Sequence, residues 1–238
     1  MHVVVDYNNV DGHIRRNGVK YLAERIARCL GSNVLAGHRR LSLRLYDGWY
    51  RVQSLTQLAQ TVSADIQNTF PITVSLPAGK GQTVTAIISA EMAFSLHCDP
   101  NNHIWHTYRP RSGQSNITCK RPASAGCTSS NCILAVLPQF FAQQKCPNPS
   151  CTITPQDLIV RNEQKLVDTM MSTDLISRHL SSPEELVIVS SDDDLWPIMR
   201  LLLQRGHKLY HIHTKLHRTT PPFYARSVPQ GQYIQLSL

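Results

Sequence analysis

The spacing of apolar residues alternates between strand-like and helix-like along the first part of the chain. Residues 2–5 (HVVV) form a short continuous apolar run, which is typical of a strand buried on both faces. Helical spacing follows over residues 14–30 and stops at Gly31, and residues 41–46 (LSLRLY) indicate a second strand. This order predicts a parallel sheet whose strands are joined by helices.

The same signals place the other regular elements. Helices are predicted over 51–68, 164–180 and 195–205, and strands over 186–191, 208–213 and 233–238, the last at an edge of the sheet. We therefore expect an α/β fold with a mainly parallel central sheet flanked by helices.

The α/β order is interrupted after residue 70. Two β-rich runs, 72–76 and 83–96, flank the turn PAGKG and predict a hairpin or an added pair of strands. Six of the seven cysteines follow within 97–152, in a segment rich in Asn, Ser and Pro. We expect residues 1–70 and 157–238 to form one domain, and residues 71–156 to be an insertion made of a β-hairpin and a Cys-rich loop subdomain.

Four cysteines of the insertion lie in pairs, Cys127 with Cys132 and Cys146 with Cys151. Two cysteine pairs, each closed by a short loop, follow the logic of a structural zinc site, although four residues separate the members of each pair where two are usual. Free thiols are the alternative, and disulfides are disfavoured in a reducing cytosol. The spacing leaves zinc binding open.

The chain is basic, with a formal net charge of +8 from 24 Lys and Arg against 16 Asp and Glu. Such a charge attracts polyanions, of which nucleic acid is the commonest in the cytoplasm, but it also suits ordinary solubility. Among the clustered cations, Arg15 and Arg16 are candidates for contacting a nucleic-acid substrate. Residues 1–6 lack the pattern of a secretion signal and no apolar stretch reaches the length of a membrane helix, so we expect a cytoplasmic protein without a membrane partner.

The acidic residues are few but concentrated at the ends of predicted strands. Asp6 ends the first strand, and Asp192, Asp193 and Asp194 occupy the turn after the strand at 186–191. A single aspartate at such a place is usually a turn former or a helix cap. Three adjacent like charges repel each other unless a cation neutralises them, and the carboxyl ends of parallel strands meet at one edge of a sheet. These residues therefore predict a metal site at that edge.

Two further aspartates lie on the helix predicted over 164–180. Asp168 and Asp174 are six residues apart, which places them about 120° apart around an ideal helix. Because both cannot point straight at one ion, Asp168 is the better ligand, and Asp174 is expected to act from one side or through water. Ligands that are all carboxylates suit hard ions such as Mg²⁺ or Mn²⁺.

Three segments carry a recognisable set of motifs. VVVDYNNV (3–10) ends a strand in Asp6 and has Asn9 three residues on, KLVDTMMSTDL (165–175) contains Lys165, Asp168 and Asp174, and SSDDDLWP (190–197) contains Asp192, Asp194 and a following Pro. Together these segments resemble the NYN domains, a branch of the PIN-like nucleases, over about residues 1–62 and 157–213. Ser191 stands where that family usually has glycine, and Leu195 where it usually has an aromatic residue.

The resemblance implies a Rossmann-like PIN domain and metal-dependent cleavage of RNA or, less often, DNA. It implies that one or two Mg²⁺ or Mn²⁺ ions activate a water, leaving a 5′-phosphate and a 3′-hydroxyl, and that these ions are held by Asp6, Asp168, Asp192 and Asp194. Asn9 would orient Asp6 or contact the scissile phosphate, and Asp174 would support the site. Lys165 and Arg161 would hold the phosphate backbone.

We therefore expect a Mg²⁺- or Mn²⁺-dependent endonuclease that acts on RNA. A phosphatase of the haloacid dehalogenase type also ends its first strand in Asp, but it needs a second acid two residues later, where this chain has Asn8. A catalytically degenerate domain would bind only nucleic acid or a partner protein within a larger defence or RNA-processing assembly. Clustered carboxylates do not help to bind an anion, which argues against that alternative. The sequence leaves homo-oligomerisation and a partner protein open.

Overall fold

The computed structural model describes residues 1–111, 117–179, 184–215, 218–226 and 228–238 of the protein. The strands in these ranges are β1 His2–Asp6, β2 Arg40–Tyr46, β3 Tyr50–Arg51, β4 Ser54–Leu55, β5 Ile72–Ala78, β6 Gln82–Met92, β7 Ser95–Leu96, β8 Asp99–His103, β9 Tyr108–Arg111, β10 Arg161–Gln164, β11 Glu185–Val189, β12 Lys208–His213 and β13 Tyr233–Ser237. The α-helices are α1 Gly12–Arg16, α2 Gly18–Gly37, α3 Gln57–Thr69, α4 Leu137–Gln143, α5 Pro155–Leu158, α6 Val167–His179, α7 Trp196–Gln204 and α8 Pro222–Ala225. Single 3₁₀ turns lie at Pro122–Ala125, Ile133–Val136 and Asp193–Leu195.

Seven of the described strands form one sheet, in the order β13-β12-β11-β1-β2-β6-β5. All neighbouring strands are parallel except β5, which is antiparallel to β6 at one edge, so the predicted mainly parallel central sheet is confirmed. From β1 the chain winds to β2 and β6 on one side, and later to β11, β12 and β13 on the other. The winding therefore reverses between β1 and β11, and at such a point the carboxyl ends of the strands border a cleft.

Helices cover both faces of the sheet. On one face α2 and α3 pack on Val3, Val5 and Leu43, and on the other α6 and α7 pack on Val4 and Ile188. A strand that is covered on both sides must be apolar at successive positions, which explains the continuous apolar runs of β1 and β11.

Three helices differ from their predicted bounds. The helix expected over 51–68 begins only at Gln57, because β3 and β4 first form a short hairpin and Thr56 then caps the helix by accepting a hydrogen bond from the backbone N–H of Ala59 at 3.2 Å. Gly31 does not end α2 but interrupts it with φ 76°, and the helix resumes as far as Gly37. The helix expected over 164–180 begins at Val167, and residue 180 lies outside the described residues.

The hairpin of β5 and β6 belongs to the main sheet, because β6 pairs with β2 along Arg40–Leu45. The chain divides into two compact units at other points than the expected bounds of 71 and 156. One unit comprises Met1–Tyr108 and Gln164–Leu238, and the other comprises Arg109–Glu163. The physical reason is that the hydrogen bonds of β6 tie residues 71–96 to the core of the first unit.

The Arg109–Glu163 unit is built mostly of turns, short helices and the β9–β10 pair. Its one described apolar side chain with less than a tenth of its surface exposed, apart from Pro155, is Phe140 in α4, while Ile133 and Leu134 lie open to solvent. None of the described helices has both the length and the apolar character needed to cross a membrane.

Candidate metal centre

Three carboxylates converge at the edge of the sheet where the strand winding reverses. Asp6 is the last residue of β1, Asp192 lies just beyond β11, and Asp168 is in the first turn of α6. Each offers one oxygen, and these three oxygens all lie within 4.8 Å of one another. Because β1 and β11 are parallel neighbours, their carboxyl ends meet at the same edge, as the sequence predicted.

Asp6 is the most buried member of this group, with 5% of its surface exposed. Its Oδ2 accepts a hydrogen bond from the Ser190 hydroxyl at 2.9 Å, and its Oδ1 accepts one from the backbone N–H of Asn9 at 3.3 Å. Burial raises the pKa of Asp6 to about 7, and the charges of Asp168 and Asp192 add to this rise, while the two hydrogen bonds oppose it. A cation at the three oxygens would favour the charged form of Asp6.

The loop after β11 is held by its own side chains. The Ser190 hydroxyl that donates to Asp6 also accepts a hydrogen bond from the backbone N–H of Asp192 at 3.0 Å. Asp192 in turn caps the 3₁₀ turn by accepting from the N–H of Asp194 at 3.0 Å. Ser190 therefore fixes the spacing between Asp6 and Asp192 from both sides.

Asn9 ties three strand ends together. Its side-chain oxygen accepts hydrogen bonds from the N–H of Ser191 at 3.0 Å and from the hydroxyl of Thr214 at 2.8 Å. Ser191 follows β11 and Thr214 follows β12, so one amide links the loops after β1, β11 and β12. In this structure Asn9 contacts Asp6 through its backbone N–H, while its side chain holds the loops after β11 and β12.

Asp168 and Asp194 lie on the solvent side of the centre. Partial burial raises the pKa of Asp168, and the nearby charges of Asp192 and Asp194 raise it further. Asp194 is exposed and lies outside the group whose oxygens are within 4.8 Å of one another. It therefore influences the field at Asp168 from the rim of the centre.

Asp174 is not brought to the centre. It is 2% exposed, and its Oδ2 accepts hydrogen bonds from the Tyr46 hydroxyl at 2.6 Å and from Arg44 Nε at 3.2 Å. Its Oδ1 accepts from the backbone N–H of His97 at 2.7 Å. Both oxygens are thus occupied by a buried network beneath the helix, which is the structural outcome of the 120° offset from Asp168.

Asp193, which the sequence left without a role, forms a salt bridge with Arg218. This ion pair partly offsets the charge of Asp193 in the acidic turn.

The predicted substrate-binding cations occupy different places. Arg15 and Arg16 in α1 line a groove of about 510 Å³ together with Tyr7 and Asp65. Lys165 lies three residues before Asp168, and its backbone N–H donates to the carbonyl of Thr107 at 2.9 Å. Arg161 is exposed on β10 and belongs to the Arg109–Glu163 unit.

Sequence reasoning missed Asp47, which directly follows β2. It is 4% exposed, its Oδ1 accepts from the N–H of Gly48 at 2.5 Å and from the side chain of Gln164, and its Oδ2 has no hydrogen-bond partner among the described residues. Burial raises its pKa to about 6, against the opposing effects of the Gly48 hydrogen bond and of Arg15. Its place after a buried strand, like that of Asp6, was the available signal, but the following glycine made it look like an ordinary turn.

The cysteines are not brought together as a set of four. Cys127, Cys132, Cys146 and Cys151 are free thiols and lie as close pairs. Within the described residues, the group with three or more candidate ligand atoms is the acidic one, and it contains no cysteine. A zinc site in this unit stays a prediction.

Comparison of the chain with protein-family models, curated proteins and solved structures gives no significant match. The resemblance to NYN domains thus rests on the three motifs.

Proposed function

We propose that this protein is a metal-dependent nuclease that hydrolyses phosphodiester bonds in RNA, and that its α/β fold is a PIN-like domain. The observation that carries the proposal is the convergence of Asp6, Asp168 and Asp192 from three separate elements to within 4.8 Å. Burial raises the pKa of Asp6 most, and the charges of Asp168 and Asp192 raise it further. A divalent cation would replace this repulsion among the carboxylates by attraction.

The donor set fits Mg²⁺ or Mn²⁺. All three groups are carboxylate oxygens, which hard divalent ions prefer, and the set contains neither a thiolate nor an imidazole. Asp168 is exposed, so the ion would be reached from solvent on that side by a phosphate. When bound, such an ion would activate a water and neutralise charge on the phosphate during hydrolysis.

The chain's own residues would hold the ligands and attract the substrate. Ser190 and Asn9 fix the Asp6 carboxylate, and Asp192 is held by its own turn, so little reorganisation accompanies binding. Supporting contacts of this kind set ligand orientation in metal sites. The net charge of +8 favours a polyanionic substrate, and RNA is the one that the family resemblance implies.

Cleavage of labelled single-stranded RNA, single-stranded DNA and folded tRNA tests this proposal. With Mn²⁺ we expect the wild-type protein to cleave RNA, EDTA to stop cleavage, and Asp192→Asn to reduce the rate more than about 100-fold, since even changes outside the ligand set commonly cost 10–100-fold. Asp193→Asn is the matched control, because it removes the same charge from the same turn at a residue that pairs with Arg218 instead.

Cleavage that persists in EDTA or in Asp192→Asn would overturn the metal-dependent mechanism. Binding of RNA without cleavage in any metal would support the degenerate binding domain.

A further inference from the structure

Four rings form a cluster beyond the carboxyl ends of β2 and β6, which we call the aromatic platform: Tyr50, Phe94, His103 and Trp105. Tyr50 and Trp105 meet edge to face with ring centroids 4.5 Å apart, and His103 lies 5.2 Å from Trp105. The Tyr50 hydroxyl is hydrogen-bonded to His103 Nδ1 at 2.7 Å, and Phe94 stacks on His103 at 5.8 Å. Ring-to-ring contacts of this kind fix the orientation of each member.

In the platform, Trp105 is open to solvent and packs on Tyr50, which is buried. Tyr50 is 5% exposed, whereas Trp105 is 40% exposed and His103 lies at the surface. The chain's other two tryptophans, Trp49 and Trp196, are 1% and 4% exposed. A rigidly supported aromatic side chain that stays open to water is suited to covering a flat partner.

Hydrogen bonds join the platform to the segment that precedes Asp168. Thr107, two residues after Trp105, is buried, and its hydroxyl accepts from the N–H of Tyr50 at 2.9 Å. Its carbonyl accepts from the N–H of Lys165 at 2.9 Å, three residues before Asp168. Along this path the backbones at Trp105 and Asp168 are separated by no more than about 25 Å, the reach of so few residues.

Backbone strain is concentrated along the same path. Val52, His106 and Leu166 have φ of 58°, 58° and 69°, a region that side chains other than glycine rarely adopt. The N–H of His106 donates to the carbonyl of Val52 at 3.0 Å. Leu166, which follows Lys165 in the chain, is 50% exposed. Strain of this kind persists where surrounding structure enforces it, commonly at binding surfaces.

The exposed tryptophan of the platform is suited to a flat ligand. In the chain, Arg51 follows Tyr50, and Lys165, which is hydrogen-bonded to Thr107, belongs to the segment before Asp168. Arg51 is exposed beside Tyr50, and His103 and His106 are exposed beside Trp105. The exposed aromatic face of Trp105 matches an unpaired base, because every nucleobase has a π-face.

We propose that an unpaired nucleobase of the substrate stacks on Trp105 while a phosphodiester of the same strand lies at the three carboxylates. The inference rests on the proposed nuclease function for the second contact and on the platform alone for the first. A base that is paired and stacked within a duplex cannot offer its face to Trp105. The substrate is therefore single-stranded nucleic acid, and Trp105 is a binding residue.

Affinity for a fluorescently labelled oligouridine, measured by anisotropy in an Asp192→Asn background to prevent cleavage, tests the stacking contact. Trp105→Ala should weaken binding about 5- to 150-fold and Trp105→Phe less, since stacking on one base contributes roughly 1–3 kcal/mol. An oligomer of the same length that has abasic sugars should bind the Trp105→Ala protein and the protein with intact Trp105 with equal affinity. Intrinsic fluorescence should be quenched by the oligouridine, because Trp105 is the exposed tryptophan.

Ile87→Ala is the control, because Ile87 is similarly exposed, at 47%, but pairs with Arg40 at the opposite end of the sheet. Unchanged affinity in Trp105→Ala, an equal loss for the abasic strand, or no binding of single strands by the wild type would overturn the proposal. Cleavage by the wild type with unchanged binding in Trp105→Ala would leave the nuclease function standing and remove the platform. The expected loss in Trp105→Ala without cleavage in any metal would establish the platform and reject the nuclease function.

Discussion

Asp6 and Asp174 are both buried carboxylates, but the charged groups around them have opposite signs. Asp174 faces Arg44 and the Tyr46 hydroxyl, which compensate its charge. Asp6 faces Asp168 and Asp192, which add to the cost of its burial. Asp174 therefore stabilises the fold, whereas Asp6 is a destabilising group that the rest of the fold keeps in place.

This contrast predicts opposite effects of neutral substitutions on stability. Asp174→Asn should lower the free energy of unfolding by about 1–3 kcal/mol, because it weakens the buried hydrogen bonds from Arg44 and Tyr46, while Arg44 keeps its ion pair with Glu91. Asp192→Asn should leave stability unchanged or raise it by about 1 kcal/mol without metal, because it removes one repulsive charge and keeps the cap on Asp194. Urea unfolding in EDTA measures both. Equal destabilisation by the two substitutions would mean that Asp192 is a structural residue.

At the scale of elements, the edge strand β13 is fastened to the loop after β11 through His211 in β12. His211 Nε2 donates to the carbonyl of Ser190 at 3.0 Å, which leaves Nδ1 to accept from the Tyr233 hydroxyl at 2.7 Å. This assignment requires a neutral imidazole, since a protonated ring has no acceptor. Burial and the neighbouring His213 lower the pKa of His211 to about 4.

The attachment of β13 should therefore weaken in acid. His211 takes up a proton at about pH 6.5 in the unfolded chain but only at about pH 4 in the folded one, so its stabilising contribution is full above 6.5 and is lost as the pH falls towards 4. The loss amounts to as much as about 3 kcal/mol.

Urea unfolding as a function of pH, with His211→Gln beside the wild type, isolates this contribution. The comparison is needed because Asp6, with its raised pKa, changes stability in the opposite direction over the same range. The difference between the two proteins should shrink on acidification. A constant difference from pH 6.5 to 4 would show that His211 does not titrate as its burial requires.

At the scale of the molecule, the Arg109–Glu163 unit is a single insertion in the chain of the first unit, between Tyr108 and Gln164. The carbonyl of Thr107 and the N–H of Lys165 are 2.9 Å apart, so the chain enters and leaves at neighbouring positions. Replacing a segment joined in this way by a shorter flexible linker lowers the entropic cost of loop closure slightly, since that cost grows only weakly with length.

Replacing residues 109–163 by a short Gly-Ser linker should therefore leave a folded first unit. We expect cooperative thermal unfolding by circular dichroism and retention of Mn²⁺ binding at the three carboxylates. Loss of cooperative unfolding would show that the first unit depends on the second. Zinc analysis of both proteins tests the cysteine prediction, because zinc held by Cys127, Cys132, Cys146 and Cys151 would be present only in the full chain.

The sequence by itself determined the sheet and two of its aspartates. Strands covered on both faces must be continuously apolar, so β1 and β11 could be recognised without neighbours, and Asp6 and Asp192 follow directly from the ends of those runs. The helix offset between Asp168 and Asp174 was also local information, because it depends only on helical geometry.

Only the tertiary structure decided which partners these residues meet. Arg44 and Asp174 are 130 positions apart, and the aromatic platform draws on residues from 50 to 105 in separate turns, so no local pattern marks either group. The pairing of β6 with β2 likewise brought the hairpin into the sheet, because hydrogen bonding between strands does not depend on their order in the chain. The local sequence determines the element and the face on which a side chain lies, and tertiary packing determines which residues it contacts.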